Sequence, residues 1–228
     1  MDRVPIHTII FDVDGTLYHS PLQLKYDLHL HWIRQLSQHL RIPHDEAERQ
    51  YSKAKITYKS STKSLVALGV GTIAEVARKA DAYLLKNVKH HLKRDRKLVR
   101  LIKKLRAHYT LSTLRNGTLY GTRQMLLLLG FENNRRPKDR GFGPFDHILP
   151  TAELDEVKPA QKIFSHAIKT IGVPADRILI IGDRVDIDLL PAKKLGMKTA
   201  LVTWGEKPKD LTGVDAMMET IYDIEQLL

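Results

Sequence analysis

The sequence predicts an α/β protein in which a parallel sheet is layered with helices and interrupted after its first strand by an all-helical insertion. Three observations predict it. An isolated apolar strand lies near the start, at residues 6–12. From about residue 109 onward, short apolar segments alternate with helical patterns. Between them, from about 20 to 106, the periodicity is helical and no strand is convincing. Strands that alternate with helices need crossover connections, which are right-handed and build parallel sheets.

Each element follows from its own residues. Ile-His-Thr-Ile-Ile-Phe-Asp at 6–12 reads as a buried strand running into a turn at Asp14-Gly15-Thr16. Leu24, Leu28, Trp32, Leu36 and Leu40 recur at helical spacing, and Pro43 ends that helix. A second helix starts near His44-Asp45, and a third covers Ile73–Leu92. Arg94–Arg106 is basic but carries Leu98, Leu101, Ile102 and Leu105 on one face. A strand at 109–114 precedes Arg115-Asn116-Gly117, and a helix over about 118–130 stops at Gly130. Residues 132–144 form a basic loop rich in Pro and Gly, followed by a short strand at Phe145–Leu149. Pro159 opens another helix. Arg177–Gly182 is a strand, 186–195 a helix closed by Gly196, Lys198–Thr203 a strand, and Ile221–Leu228 a short helix. Met217-Met218 reads as core filler near a last strand.

Composition narrows the function. Cysteine is absent from the 228 residues, which excludes disulfide staples, a thiol nucleophile, Cys-ligated zinc and iron–sulfur clusters. The balance of 37 Lys+Arg against 26 Asp+Glu gives a net charge of +11, which favours an anionic partner. The longest apolar run, Met125–Leu129, is far too short to span a membrane, and no cleavable leader is visible near Met1. A cytoplasmic protein without a membrane partner is the expectation.

In a parallel sheet, ligands bind beyond the carboxyl ends of the strands. Asp12 and Asp14 end the first strand, Asp183 ends the strand 178–182, and Asp188 lies a little over one helical turn beyond it. Asn116-Gly117 ends the strand at 109–114, and Lys158 precedes the helix after Pro159. Clustered acids repel one another unless a cation joins them. Mg²⁺ is suited to oxygen ligands and leaves room for water and phosphate. With Lys158 it would offset the charge of a phosphoryl group. Asp12 can then attack phosphorus, and Asp14 can protonate the leaving oxygen and activate water. Gly15 permits the turn, and Thr16 can hydrogen-bond to hold it.

Phe11-Asp12-Val13-Asp14-Gly15-Thr16-Leu17 resembles the first motif of the haloacid dehalogenase-like hydrolase superfamily. Val157-Lys158-Pro159 resembles the third, and Ile181-Gly182-Asp183 through Asp188 the fourth, in the family's order. The resemblance implies a Rossmann-like three-layer core of residues 1–19 and 96–228, with a helical cap at 20–95 that chooses the substrate. It implies Asp12 as nucleophile and Asp14 as general acid/base. It also implies Mg²⁺ held by Asp12, the Asp14 backbone carbonyl and Asp183, with Asp188 in support. The second acid, Asp14, favours a phosphatase over a dehalogenase. The second motif departs from the pattern, since Arg115 stands where relatives usually have Ser or Thr. Either Arg115 binds phosphate or a second anionic group of the substrate, or Thr113 binds the phosphate. Asn116, Gly117, Thr16 and Lys158 complete the expected phosphate-binding set.

The expected partner is therefore a small phosphorylated metabolite, with Tyr18, Lys25, Tyr58 and Lys63 as cap candidates for its recognition. A binder of nucleic acid with little turnover is the less favoured alternative, resting on the basic residues of 86–106 and on the loop 135–140. Few aromatic residues lie among those cations, so a stacking platform is not supported. Dehalogenation is a third reading. The pairs His29/His31 and His90/His91 lack the spacing of two zinc ligands on one helix face. Asp186 reads as a solvated helix-start residue.

Overall fold

A computed structural model describes residues 5–88, 91–133 and 141–228. Its centre is a six-stranded sheet, all of whose pairings are parallel. The strands are β1 (Thr8–Phe11), β2 (Thr110–Arg115), β3 (His147–Pro150), β4 (Ile178–Gly182), β5 (Lys198–Val202) and β6 (Ala216–Met218), in the order β3-β2-β1-β4-β5-β6. Every residue of β1 and β4 is buried, as expected for strands covered on both faces.

Side-chain alternation divides the core into two layers. Ile9 and Phe11 point to the side covered by α5 (Arg96–Arg106) and α6 (Leu119–Leu129). Ile10 points to the side covered by α7 (Gln161–Ile171) and the short α8 (Leu190–Lys193). The chain runs outward from β1 through β2 to β3, then returns to β4 and runs out the other way. The strand order therefore reverses between β1 and β4, which puts Asp12 and Asp183 side by side at the switch point.

Between β1 and α5 lie α1 (Leu22–Leu40), α2 (His44–Tyr58), α3 (Ser61–Ala67) and α4 (Ile73–Val88). They share a separate core of Trp32, Ile33, Leu36, Ala47, Tyr51, Leu65, Val70 and Val76. Leu24 of α1 and Leu84, Leu85 and Val88 of α4 pack instead with the sheet layer. α4 therefore packs with both cores, its first half (Val76, Ala80) with the insertion and its second (Leu84, Leu85, Val88) with the sheet layer.

Two elements differ from the sequence reading. The helix α3 was not foreseen, since seven residues are too few to show a period; Ser60 caps it by accepting from the Lys63 N–H. The expected helix over 186–195 is a π-helical turn, Val185–Leu189, leading into α8. That turn folds Asp188 back onto Gly182, where an added Cβ would stand 2.6 Å from the Asp188 Cβ. Met218 is buried as expected, but Met217 is 49% exposed, because residues on an outer strand alternate between core and solvent.

Much of the basic face of α5 is paired. Lys104 meets Glu225, Arg106 meets Asp146 at 2.7 Å, and Lys97 lies over the Tyr222 ring. Just before α5, Arg94 meets Glu132 at 2.9 Å. Lys89, His90 and the loop 135–140 lie outside the described residues. Among the described residues, no helix is long and apolar enough to cross a membrane.

Candidate active site

The site is built around Lys158. Its Nζ donates to Asp12 Oδ1 at 2.7 Å, to Asp188 Oδ1 at 2.6 Å and to the Leu114 carbonyl at 2.9 Å, using all three protons. Each partner comes from a different strand end, and the lysine is 3% exposed. Burial disfavours the ammonium, but Asp12 and Asp188 outweigh it and hold Lys158 protonated beyond the usual lysine range.

Asn116 fixes the approach of that lysine. Its Oδ1 accepts from the Lys158 N–H at 2.8 Å and its Nδ2 donates to the Lys158 carbonyl at 3.3 Å. Thr16 is fully buried and donates to Asp12 Oδ2 at 3.3 Å. Gly15 has φ +98°, and a Cβ there would collide with the Asp183 carboxylate, so the turn excludes any side chain for two reasons. Its carbonyl accepts from Trp204 Nε1 at 2.5 Å.

Asp12, Asp183 and Asp188 each offer a carboxylate oxygen within 4.8 Å of the others, a group that could hold a metal ion. The donor set is oxygen only, which suits a hard divalent cation. Burial first, then the charges of Asp12 and Asp188, push Asp183 up to about 7, against the pull of Lys25 and Arg184. Burial likewise pushes Asp12 up to about 6, with Lys158 opposing and Asp188 and Asp14 adding to the rise. Negative charge is thus crowded here beyond what Lys158 neutralises, and a cation fits.

A family model described as HAD-hydrolase-like matches residues 157–223, which include Lys158, Asp183 and Asp188. The chain is similar to the glyceraldehyde 3-phosphate phosphatase of Methanocaldococcus jannaschii, with 34% identity over 84 residues. That match spans 37% of this chain and 36% of the relative, about a third of each. The HAD phosphatase from Thermococcus onnurineus superposes with a TM-score of 0.66 at 21% identity, covering 97% of both chains. The 2-haloacid dehalogenase from Pseudomonas syringae pv. Tomato DC3000 superposes with a TM-score of 0.60 at 17% identity, covering 97% of both.

Residues 157–223 thus match the HAD-hydrolase-like family model, and the chain as a whole shares the fold of these solved structures.

The residues after β2 are where the structure departs most from the sequence reading. Arg115 is 1% exposed and does not reach the cleft. Its Nε donates to Asp14 Oδ2 at 2.6 Å and its Nη1 to Asp81 Oδ1 at 2.6 Å. Asp81, on α4, also accepts from the Thr118 N–H at 2.9 Å and the Thr118 hydroxyl at 2.6 Å, at the start of α6. Arg115 is therefore an internal strut between the first-motif loop, the insertion and α6, held by two carboxylates of the protein itself. Gly117 makes room for it, since a Cβ there would collide with the guanidinium.

Thr113 is not brought to the site either. It lies opposite Phe11 in the β1–β2 register, on the apolar face and fully buried, and its Oγ1 has no partner. The Asp14 side chain stands outside the acid cluster among the described residues. Its oxygens accept from Arg115 and, at 2.6 Å, from the Tyr18 hydroxyl, while the side chain stays 29% exposed at the cleft. Burial and Asp14 keep that phenol protonated well above its ordinary range.

Asp81 went unrecognised in the sequence. The signal was a charge on the apolar stripe of α4, one turn after Ala77 and two before Val88. Of the cap candidates, Tyr18 and Lys25 line the cleft, whereas Lys63 is paired with Glu156 at 2.8 Å. Tyr58 is exposed and does not line it. Asp186 is paired at 3.3 Å with Lys59, the residue that follows α2.

Proposed function

We propose that this chain is a Mg²⁺-dependent phosphomonoester hydrolase acting on a small phosphorylated metabolite through a phospho-aspartate intermediate. The observation that carries this reading is the Lys158-centred cluster, in which one buried cation orders Asp12 beside two further acids at the topological switch point. Asp12, Asp183 and Asp188 would hold Mg²⁺, with the Asp14 carbonyl as the further ligand that the family resemblance implies. The metal supplies neutralisation of phosphoryl charge.

Lys158 holds Asp12 Oδ1 at 2.7 Å, whereas Oδ2 accepts only the longer 3.3 Å bond from Thr16, so Oδ2 is the oxygen freer to attack phosphorus. The bond from phosphorus to the ester oxygen breaks as the new bond forms, and Asp14 gives its proton to the departing alcohol. Asp14 then takes a proton from water, whose oxygen attacks the aspartyl phosphate and releases inorganic phosphate and free Asp12. Arg115 and Tyr18 hold the Asp14 carboxyl in place for both transfers. The helical insertion acts as a cap, since α1, α2 and α3 supply much of the cleft wall. The curated relatives are named for glyceraldehyde 3-phosphate, so a short phosphorylated carbon chain is a reasonable substrate size.

Hydrolysis of p-nitrophenyl phosphate by the purified protein tests this. Turnover should require Mg²⁺, stop with EDTA and fall at least about a thousandfold in Asp12→Asn, as expected when a nucleophile is lost. Turnover that survives Asp12→Asn would overturn the reading.

A further inference from the structure

The cleft between the sheet and the insertion has a volume of about 420 Å³. Asp14, Asn116 and Asp183 line the side toward the acid cluster. Lys55 of α2, Lys59 just after it, Ser60 to Thr62, and Arg184 after β4 also line it. Four cations therefore border one small space, and their partners differ. Lys59 is paired with Asp186 at 3.3 Å, and Lys25 lies 4.0 Å from Asp183. Among the described residues, neither Lys55 nor Arg184 has a carboxylate within ion-pair distance.

Lys55 is half-buried, and its Nζ donates to the Ser61 hydroxyl at 3.1 Å, which fixes the ammonium without neutralising it. Burial first and then the charge of Arg184 lower its pKa. Two like charges bearing on one another in a partly desolvated cleft destabilise the protein unless an anion joins them. Among the described residues no carboxylate stands within ion-pair distance of either, and the negative charge felt by Arg184 is that of Asp183 in the crowded acid cluster. Hydroxyls at Ser60, Ser61 and Thr62 add donors that suit an anion or a polyol.

We propose that the substrate carries a second anionic group, a carboxylate or a second phosphate, at the end remote from the reacting phosphoryl group, and that Lys55 and Arg184 hold it. This rests on the phosphatase reading and names the substrate class for the same site. The Asp12 side takes the phosphoryl group, and the Lys55–Arg184 side takes the tail. Glyceraldehyde 3-phosphate ends in a neutral aldehyde, so the tail separates this chain from an enzyme specific for that ester.

The test is calorimetric binding to the Asp12→Asn protein in Mg²⁺. 3-Phosphoglycerate and glyceraldehyde 3-phosphate share a skeleton and a phosphate and differ only in the charge of the tail. A third probe, propane-1,3-diol bisphosphate, separates a phosphate tail from a carboxylate one. At least one dianionic-ended ester should bind about tenfold or more tightly than the aldehyde, the scale of one charge-assisted hydrogen bond. Adding Lys55→Met, or separately Arg184→Gln at an exposed position, should reduce that ratio about tenfold. Equal affinities, or a ratio untouched by both substitutions, would overturn the proposal. p-Nitrophenyl phosphate has a neutral tail, so its hydrolysis reports on the phosphatase reading alone. Turnover of that ester without a tail preference sinks the second-anion proposal only.

Discussion

Arg115 shows how far a single side chain can travel from its sequence context. In the sequence it stands beside Asn116-Gly117 at a strand end, where a cation invites a phosphate. In the structure it is an arginine, 1% exposed, whose planar fork spans two carboxylates 67 residues apart in the chain, Asp14 and Asp81. Nothing local to residue 115 could reveal this, because the decisive partner sits on a distant helix. Truncation leaves Asp14 and Asp81 buried or half-buried without their cation. Arg115→Met should therefore destabilise the fold by about 3–5 kcal/mol, the usual cost of breaking a buried pair. In a chain of this size that lowers Tm by roughly 10 °C in calorimetry. Arg115→Lys should rescue little, since one ammonium cannot reproduce the two-directional fork. The double variant Arg115→Met/Asp81→Leu should lose less than the sum of the single losses, because the residues share one interaction. Additive losses would remove the strut interpretation.

At the scale of elements, the packing around Asp81 reverses an ordinary expectation. Gly121 lies in the first turn of α6, where replacing glycine by alanine normally gains about 1 kcal/mol of helix propensity. Here a Cβ would overlap the Asp81 carboxylate, which Arg115 and Thr118 hold in place. Gly121→Ala should thus destabilise by about 1–3 kcal/mol, the cost of overpacking, and chemical denaturation should show a lowered midpoint. A raised midpoint would mean that α4 moves away without loss. The elements themselves were largely readable from sequence: β1, α1, α2, α5, β2, α6 and β4 follow from apolar spacing and from breakers such as Pro43 and Gly130. The missed or altered ones share a cause. α3 has too few residues to show periodicity, and the π-helical turn at Val185–Leu189 is set by the close approach of Asp188 to Gly182, a tertiary contact. The site divides in the same way. Asp12, Lys158, Asp183 and Asp188 sit in short local motifs, whereas Asp81, Lys55 and Arg184 gain their meaning only when the insertion folds over the sheet.

At the scale of the whole molecule, the fold gathers opposite charges into adjoining clusters, and the acid cluster ties stability to pH. Asp183 has an ordinary pKa near 3.8, raised to about 7 in the folded protein by burial and by neighbouring acids. Between those values the folded state binds more protons than the unfolded chain, so this residue makes stability fall as pH rises. In EDTA, wild type and Asp183→Asn should have similar Tm values at pH 5, where the acid is protonated and resembles the amide. At pH 8 the carboxylate is charged, and Asp183→Asn should be the more stable by about 2 kcal/mol, or roughly 6 °C. Saturating Mg²⁺ should reverse that order at pH 8, because the wild type alone keeps its full set of carboxylate ligands and a ligand that binds only the folded state adds to its stability. A pH-independent difference in EDTA would show that Asp183 is not crowded by its neighbours. If Mg²⁺ stabilised both proteins equally at pH 8, the metal would be binding elsewhere than at Asp12, Asp183 and Asp188.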